Sequence, residues 1–269
     1  MLESRTFRAL IRTEKGFASV REELIEEVPL EIVINKSTRV LIMHTPYMTR
    51  ELVYGFLFTE GYVPEISHVL SCHINFSEQA EGIQIMEAHV QTTTNELEAP
   101  PSAGPQRISY SSCGICGREE LEEMRRGLSR IRSAQRFSMD LLQMIPQHLQ
   151  DLQPLYTKTK AAHAAVLFDA AGRVVMAAED LGRHNAIDKV IGKCLLEGIP
   201  RQDKVIVSSG RASLEMILKV VRGGFPLFVA MSRPTSRAVE AAKFYNLTLI
   251  DLAKETNRIY THARRLKEY

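Results

Sequence analysis

The chain has 269 residues, 45% of them hydrophobic and 25% charged, with a formal net charge of +2. That balance describes a globular protein able to bury a core without disulfides or structural metal, and so small a charge gives no basis for non-specific nucleic-acid or membrane binding. No run approaches the roughly 18 apolar residues of a membrane span, and Met1 to Glu31 is charged throughout in place of an apolar leader, so the expectation is a cytoplasmic chain with four reduced cysteines.

Pro29 to Asn35 alternates like a strand, with Arg39 to His44 as its hairpin partner across a polar turn at Lys36–Ser37. Thr49 reads as the cap of a helix from Arg50 towards Glu60, ended by Gly61. Val69 to Phe76 and Gly82 to Ala88 are further strands. Thr92 to Arg107 is polar, holds Pro100, Pro101, Gly104 and Pro105, and reads as a linker into Ser111-Ser-Cys-Gly-Ile-Cys-Gly117. A charged helical stretch is expected over Arg118 to Arg132, then a helix from Ser138 interrupted near Pro146.

From Ala161 the texture changes. Ala164 to Phe168 and Arg173 to Ala178 read as strands joined by a turn at Asp169 to Gly172, and Asn185 to Leu196 as a helix ended by Gly198. Three strands follow, Lys204 to Val207, Leu227 to Ala230 and Leu247 to Ile250; helices follow the first two, to about Val221 and Tyr245. This alternation predicts a parallel sheet whose post-strand loops gather along one ligand-binding edge.

Cys113 and Cys116 stand just before a helical stretch, where the dipole and free amides favour a thiolate. Gly114 and Gly117 allow a tight bend and Arg118 adds positive charge. The pair suits a dithiol oxidoreductase, half of a zinc site, or a sulfur carrier that holds sulfane sulfur as a persulfide; two inert thiols are the bland alternative. Zinc is weakened because there is no second cysteine pair, although Cys72, His73 and His89 could ligate. Cys72 and Cys194 read as core.

Glu179-Asp-Leu-Gly-Arg-His-Asn185, with Asp188 and Lys189, is dense in titratable groups. Asn185 could cap the helix, while Arg183 and His184 could meet phosphate or move protons. A capped helix start with solvated charges is the equal rival. Ser208 to Ser213, including Ser209, Gly210 and Arg211, and Ser232 to Ser236 each put hydroxyls and an arginine at a helix start after a strand. Two such loops on one edge suit a nucleotide phosphate. Neither is a P-loop, and no G-x-G-x-x-G occurs. His163 reads as a core histidine that could line the pocket. Arg125, Arg126, Arg130, Arg132 and Arg136 form a basic run suited to an acidic protein or an anionic cofactor.

These motifs together resemble the formate dehydrogenase accessory sulfurtransferase family, FdhD. The agreement runs from Glu27-Val-Pro-Leu-Glu-Ile-Val-Ile-Asn35 to Tyr260-Thr261, and is most specific in Ser111 to Gly117, Glu179 to Lys189 and Ser209 to Glu215. The resemblance implies an α/β protein, its larger domain cytidine-deaminase-like without the zinc signature, its N-terminal α/β domain smaller. The divisions expected are 1–107, a cysteine-motif segment with charged helix over 108–137, and a cofactor-binding domain over 138–269. It further implies a sulfurtransferase, with persulfide sulfur passing from a cysteine desulfurase to the molybdenum (or tungsten) bis-guanine-dinucleotide cofactor before that cofactor enters formate dehydrogenase. Cys113 maps to the persulfide carrier and Cys116 to the same relay. Leu252, Ala253, Lys254, Glu255, Thr256 and Asn257 map to the segment contacting the guanine nucleotide, beside Ser209, Gly210, Arg211, Ser213, Arg183 and His184. No resident metal, nucleic acid or membrane is implied, and a homodimer is compatible. A cofactor chaperone without sulfur transfer and a dithiol oxidoreductase are the rivals.

Overall fold

The computed structural model describes residues 3–78, 84–93, 107–108, 125–253 and 257–269. The charged N-terminal stretch forms two ten-residue strands, β1 (Ser4–Thr13) and β2 (Gly16–Ile25), paired antiparallel as a separate ribbon. Next come β3 (Val28–Ile34) and β4 (Thr38–His44), the expected hairpin. Its turn puts Asn35 and Lys36 at φ of 49° and 63°, the left-handed pair that matches strand twist.

Helix α1 (Thr49–Thr59) follows, but Thr49 is not its cap. Met48 takes that position at φ 50° with no side-chain cap bond, because the Thr49 hydroxyl faces Nε2 of buried His44 at 3.2 Å. Strands β5 (Val69–Glu78), β6 (Gln84–Thr92) and β7 (Arg107–Ile108) complete a five-stranded sheet of order β5-β6-β3-β4-β7. Leu52, Val53, Phe56 and Leu57 of α1 close one face of it over Leu30, Ile32, Val40, Ala88 and Val90.

Most of the linker, the cysteine motif and the start of the charged helix lie outside the described residues. The helix does not continue to Arg132. It ends by Arg126, Gly127 turns at φ 73°, and Ile131 buries its side chain in the core while its N–H bonds to the Tyr245 carbonyl at 2.9 Å. After Ser138 come three short helices, α2 (Met139–Gln143), α3 (Ile145–Asp151) and α4 (Pro154–Thr159). Pro146 sits in the first turn of α3, where its missing N–H costs nothing.

The second sheet has the order β13-β12-β11-β10-β8-β9. Its strands are β8 (His163–Phe168), β9 (Val174–Asp180), β10 (Val205–Arg211), β11 (Leu227–Ser232), β12 (Thr248–Asp251) and β13 (Arg258–Thr261). Only β10, β11 and β12 run parallel. The short turn after Phe168 leaves β9 no choice but to return antiparallel, and β13, unforeseen in sequence, pairs antiparallel with β12. Helices α5 (Arg183–Glu197), α6 (Leu214–Gly223) and α7 (Ser236–Phe244) pack on one face around Leu167, Ile206, Phe228 and Leu249. The other face, with Val166, Phe168, Val207 and Val229, is covered by Leu142, Ile145, Leu149 and Leu266. Burial on both faces explains why these strands read as unbroken apolar runs.

Helix α1 lies directly on α5. Glycines make the approach possible. A Cβ on Gly55 would stand 1.9 Å from the Asp188 carbonyl oxygen, and one on Gly192 the same distance from that of Glu51. The two sheets are therefore joined back to back through a helix pair with almost no gap.

Candidate functional site

The densest motif, Glu179 to Lys189, runs from the end of β9 into α5. Most of its charge turns out to be structural. Asp180 is fully buried and holds the buried ammonium of Lys189 at 2.7 Å. Its Oδ1 accepts from the Gly182 N–H and the Asn185 amide, and Oδ2 from the Thr45 N–H. Lys189 also donates to the carbonyls of Thr45 and Glu179. Burial pulls its ammonium below the ordinary lysine range, and Asp180 opposes that. Asp188 accepts from the Thr59 hydroxyl and pairs with Lys219, which also meets Glu60. Burial works against the Lys219 charge, but the two carboxylates outweigh it and raise its pKa. Glu179 accepts the N–H groups of Leu155 and Tyr156 at the start of α4.

Asn185 is not the cap of α5. Gly182 holds that position, and the Asn185 amide instead bridges Asp180 and the Met43 carbonyl. Asp180, Asp188 and Lys189 are thus buried and paired rather than solvated. They lock the β9–α5 loop to the β4–α1 loop.

Arg183 and His184 are the two members left to the sheet edge. His184 is nearly buried, with Nε2 at 3.0 Å from a Glu215 carboxylate oxygen and 3.4 Å from Ser213 Oγ. Arg183 lies over Gly210, where an added Cβ would stand 2.9 Å from Arg183 Cδ. Ser209 Oγ accepts the Ala164 N–H at 2.9 Å and is left with its proton for His163 Nδ1 at 3.5 Å. Burial first, then Arg183 and His184, lower the His163 pKa. Ser213 caps α6, its Oγ accepting the Met216 N–H.

The structure therefore brings Arg183, His184, Ser209, Gly210 and Ser213 together, between the N-termini of α5 and α6. Beside them stand His163, which the sequence offered as a residue that could line the pocket, and Glu215, the last residue of the Ser209–Glu215 motif, whose contact with His184 the sequence does not show. Arg211 is exposed at the end of β10. One strand further, the Thr235 N–H bonds to the Ala212 carbonyl and the Thr235 hydroxyl caps α7, so the second serine–arginine loop lies against the first.

The 252–257 segment follows β12 in the chain. Leu252 packs its side chain into the core at 2% exposure, and its N–H bonds to the Ala230 carbonyl at 3.1 Å, which ties the start of the segment to β11. The Ala253 N–H bonds to Asp251 Oδ1 at 2.7 Å, and Asn257 is exposed at φ 46°. Lys254, Glu255 and Thr256 lie outside the described residues, as do Cys113 and Cys116. The fully buried Asp251 also faces Arg258 at 3.7 Å and the Tyr260 hydroxyl at 3.5 Å. It organises the segment rather than facing solvent.

Of the remaining cysteines, Cys194 is buried in α5 and its thiol is pushed by burial to about 12. Cys72 lies on the core face of β5, opposite Val90, and is pushed to about 11. Neither offers a thiolate near neutral pH. Cys72 and His73 point to opposite faces of their strand, as successive residues must, and no cluster among the described residues gathers three groups able to hold a metal.

The family model described as FdhD/NarQ matches residues 25–267, nearly the whole chain. The chain belongs to the FdhD/NarQ family. Two relatives are the proteins named sulfur carrier protein FdhD in Thermoplasma acidophilum and Mycolicibacterium paratuberculosis. The first is 33% identical over 264 residues, covering 93% of this chain and 89% of the relative. The second is 34% identical over 276 residues, covering 96% and 97%. Among solved structures, a formate dehydrogenase accessory protein from Desulfotalea psychrophila superposes with a TM-score of 0.77 at 22% identity, covering 98% of this chain and 100% of that one. The shared fold is the mixed α/β arrangement described above, and the family is the one that the motifs resemble. Among the described residues of this FdhD/NarQ chain, no helix is long and apolar enough to cross a membrane.

Proposed function

We propose that this chain is a sulfur carrier serving formate dehydrogenase. It takes persulfide sulfur from a cysteine desulfurase through Cys113 and passes it to a molybdenum bis-guanine-dinucleotide cofactor, its substrate, held at the sheet edge of residues 138–269. The Cys113 thiolate attacks the outer sulfur of the donor persulfide; a new S–S bond forms, the donor's breaks, and the donor cysteine leaves as thiolate. Release needs a second nucleophile. Cys116 attacks the inner sulfur of the Cys113 persulfide, a Cys113–Cys116 disulfide forms, and the outer sulfur leaves as sulfide for the metal. A cellular dithiol then restores both thiols.

One observation carries this reading: curated relatives matched over nine-tenths of the chain or more are named sulfur carriers, and burial disqualifies both cysteines outside the Cys113–Cys116 pair. The edge adds support for a phosphate-bearing substrate. Arg183, His163 and His184 supply cationic or N–H donors, and Ser209 and Ser213 hydroxyls flank two helix N-termini, a setting that favours anions. The Leu252–Asn257 segment, on this reading, meets the guanine end through backbone and polar groups.

A cell lacking its own carrier tests the proposal. The wild-type gene restores formate dehydrogenase activity, and the Cys113→Ala/Cys116→Ala variant, expressed at equal level, leaves it at background. Full activity with the double variant would establish the chaperone alternative and end the sulfur-carrier reading.

A further inference from the structure

The β1–β2 ribbon takes no part in the site described above, and its surface is costly to leave in water. A two-stranded ribbon is marginal by itself. This one is held at its base by the Glu26 N–H to Glu3 carbonyl bond and the Arg5–Glu26 ion pair, and along β2 by α4. Arg8, Leu10, Arg12, Phe17 and Arg21 are all exposed. The register assigns Arg8, Leu10 and Arg12 of β1 to one face, opposite Arg21, Ser19 and Phe17 of β2. Leu10 is 69% exposed and Phe17 77%, more than most large apolar side chains of the protein.

Arg8 and Arg21 stand directly opposite each other. Like charges in that position destabilise a strand pair. The Arg8 guanidinium has only the Ser19 hydroxyl at 2.7 Å, and among the described residues no carboxylate forms an ion pair with Arg8, Arg12 or Arg21. Three arginines around an exposed leucine and phenylalanine have the composition of a binding hot spot, an apolar anchor rimmed by bidentate donors. A carboxylate between Arg8 and Arg21 would turn their repulsion into two ion pairs.

We infer that this face docks an acidic protein surface with an apolar recess for Phe17, and, resting on the function proposed above, that the surface belongs to the protein that donates sulfur to Cys113. A lipid occupant is disfavoured by Glu23, which lies on the same face two residues from Arg21: a uniformly anionic surface would have to meet it, whereas the discrete carboxylates of a protein can be placed on the arginines and away from it.

The test compares two ways of loading the full-length protein, read by mass spectrometry: a purified cysteine desulfurase with cysteine, which requires docking, and glutathione persulfide, which does not. The variants are Arg8→Glu/Arg21→Glu, which keeps the repulsion but reverses its sign, and Phe17→Ser, at a tip position too exposed to affect folding. Both are expected to slow desulfurase-driven loading roughly tenfold or more, with loading from glutathione persulfide unchanged. Added salt should slow the wild type towards the charge-reversed variant. Wild-type rates from the desulfurase in both variants would overturn the inference. So would a halving of the mass in solution, which would make a second copy the occupant, or variant-sensitive sedimentation with phosphatidylglycerol vesicles. If the wild type accepted sulfur from neither source, the sulfur-carrier reading would fall, and this inference with it.

Discussion

Replacing Lys189 with methionine removes an ammonium that is fully buried against an equally buried Asp180, 2.7 Å away. Asp180 keeps three donors, the N–H groups of Thr45 and Gly182 and the Asn185 amide, so its charge is not wholly abandoned. Breaking a buried pair from one side costs about 3–5 kcal/mol. The remaining donors pull towards the lower figure, while the carbonyls of Thr45 and Glu179, each losing a donor, add about 1 kcal/mol apiece. The expected loss is therefore about 5 kcal/mol, a large share of a typical stability of about 5–15 kcal/mol. In urea unfolding followed by circular dichroism, the midpoint should fall with the slope unchanged. Asp180→Asn/Lys189→Met should recover part of the loss, because no unpaired charge is left, giving a coupling of about 1–2 kcal/mol. A loss below about 1 kcal/mol in the single variant would refute the view that this pair locks the two loops together.

Gly192→Ala places a Cβ 1.9 Å from the Glu51 carbonyl oxygen, which is backbone and cannot swing aside. Forcing α1 from α5 should cost about 3 kcal/mol, read as a fall in thermal midpoint of about 6–12 °C; a fall within about 2 °C would mean that the helices part freely. His44 has its pKa lowered by burial from 6.5 to about 4, so the unfolded chain takes up its proton before the folded one does. Stability should therefore drop as pH falls from about 6.5 to about 4, by up to about 3 kcal/mol. His44→Gln should flatten that part of the pH profile, and an unchanged profile would contradict the assignment. Gly210→Ala meets the flexible stem of Arg183 at 2.9 Å. It should leave stability within about 1 kcal/mol while weakening GDP binding by roughly tenfold, measured calorimetrically; unchanged binding would remove Arg183 from the nucleotide edge.

The elements legible in the sequence are those whose burial leaves a pattern. The β3–β4 hairpin and the three strand–loop units of the second sheet could be placed from apolar runs and terminal glycines. The β1–β2 ribbon escaped because solvent reaches both its faces, and Arg8 to Arg12 looks like any charged stretch. β13 is four residues long and is fixed by a contact the local sequence does not show, the Thr261 hydroxyl, which accepts the Leu249 N–H and donates to the Leu247 carbonyl. The Glu179–Lys189 motif was legible as important but not in kind. Asp188 finds Thr59 and Lys219, and Asp180 finds Thr45, only once the chain has folded. Removing those partners from the list of solvated charges is what leaves Arg183 and His184 as candidate site residues.

The most direct test of the sulfur-carrier reading is the mass of the Cys113 peptide after the protein is incubated with a cysteine desulfurase and cysteine and then alkylated. Wild-type protein should carry one added sulfur on Cys113, lost on treatment with a dithiol, while Cys113→Ala takes up none and Cys116→Ala retains it. Sulfur uptake by Cys113→Ala equal to that of the wild type would contradict the account.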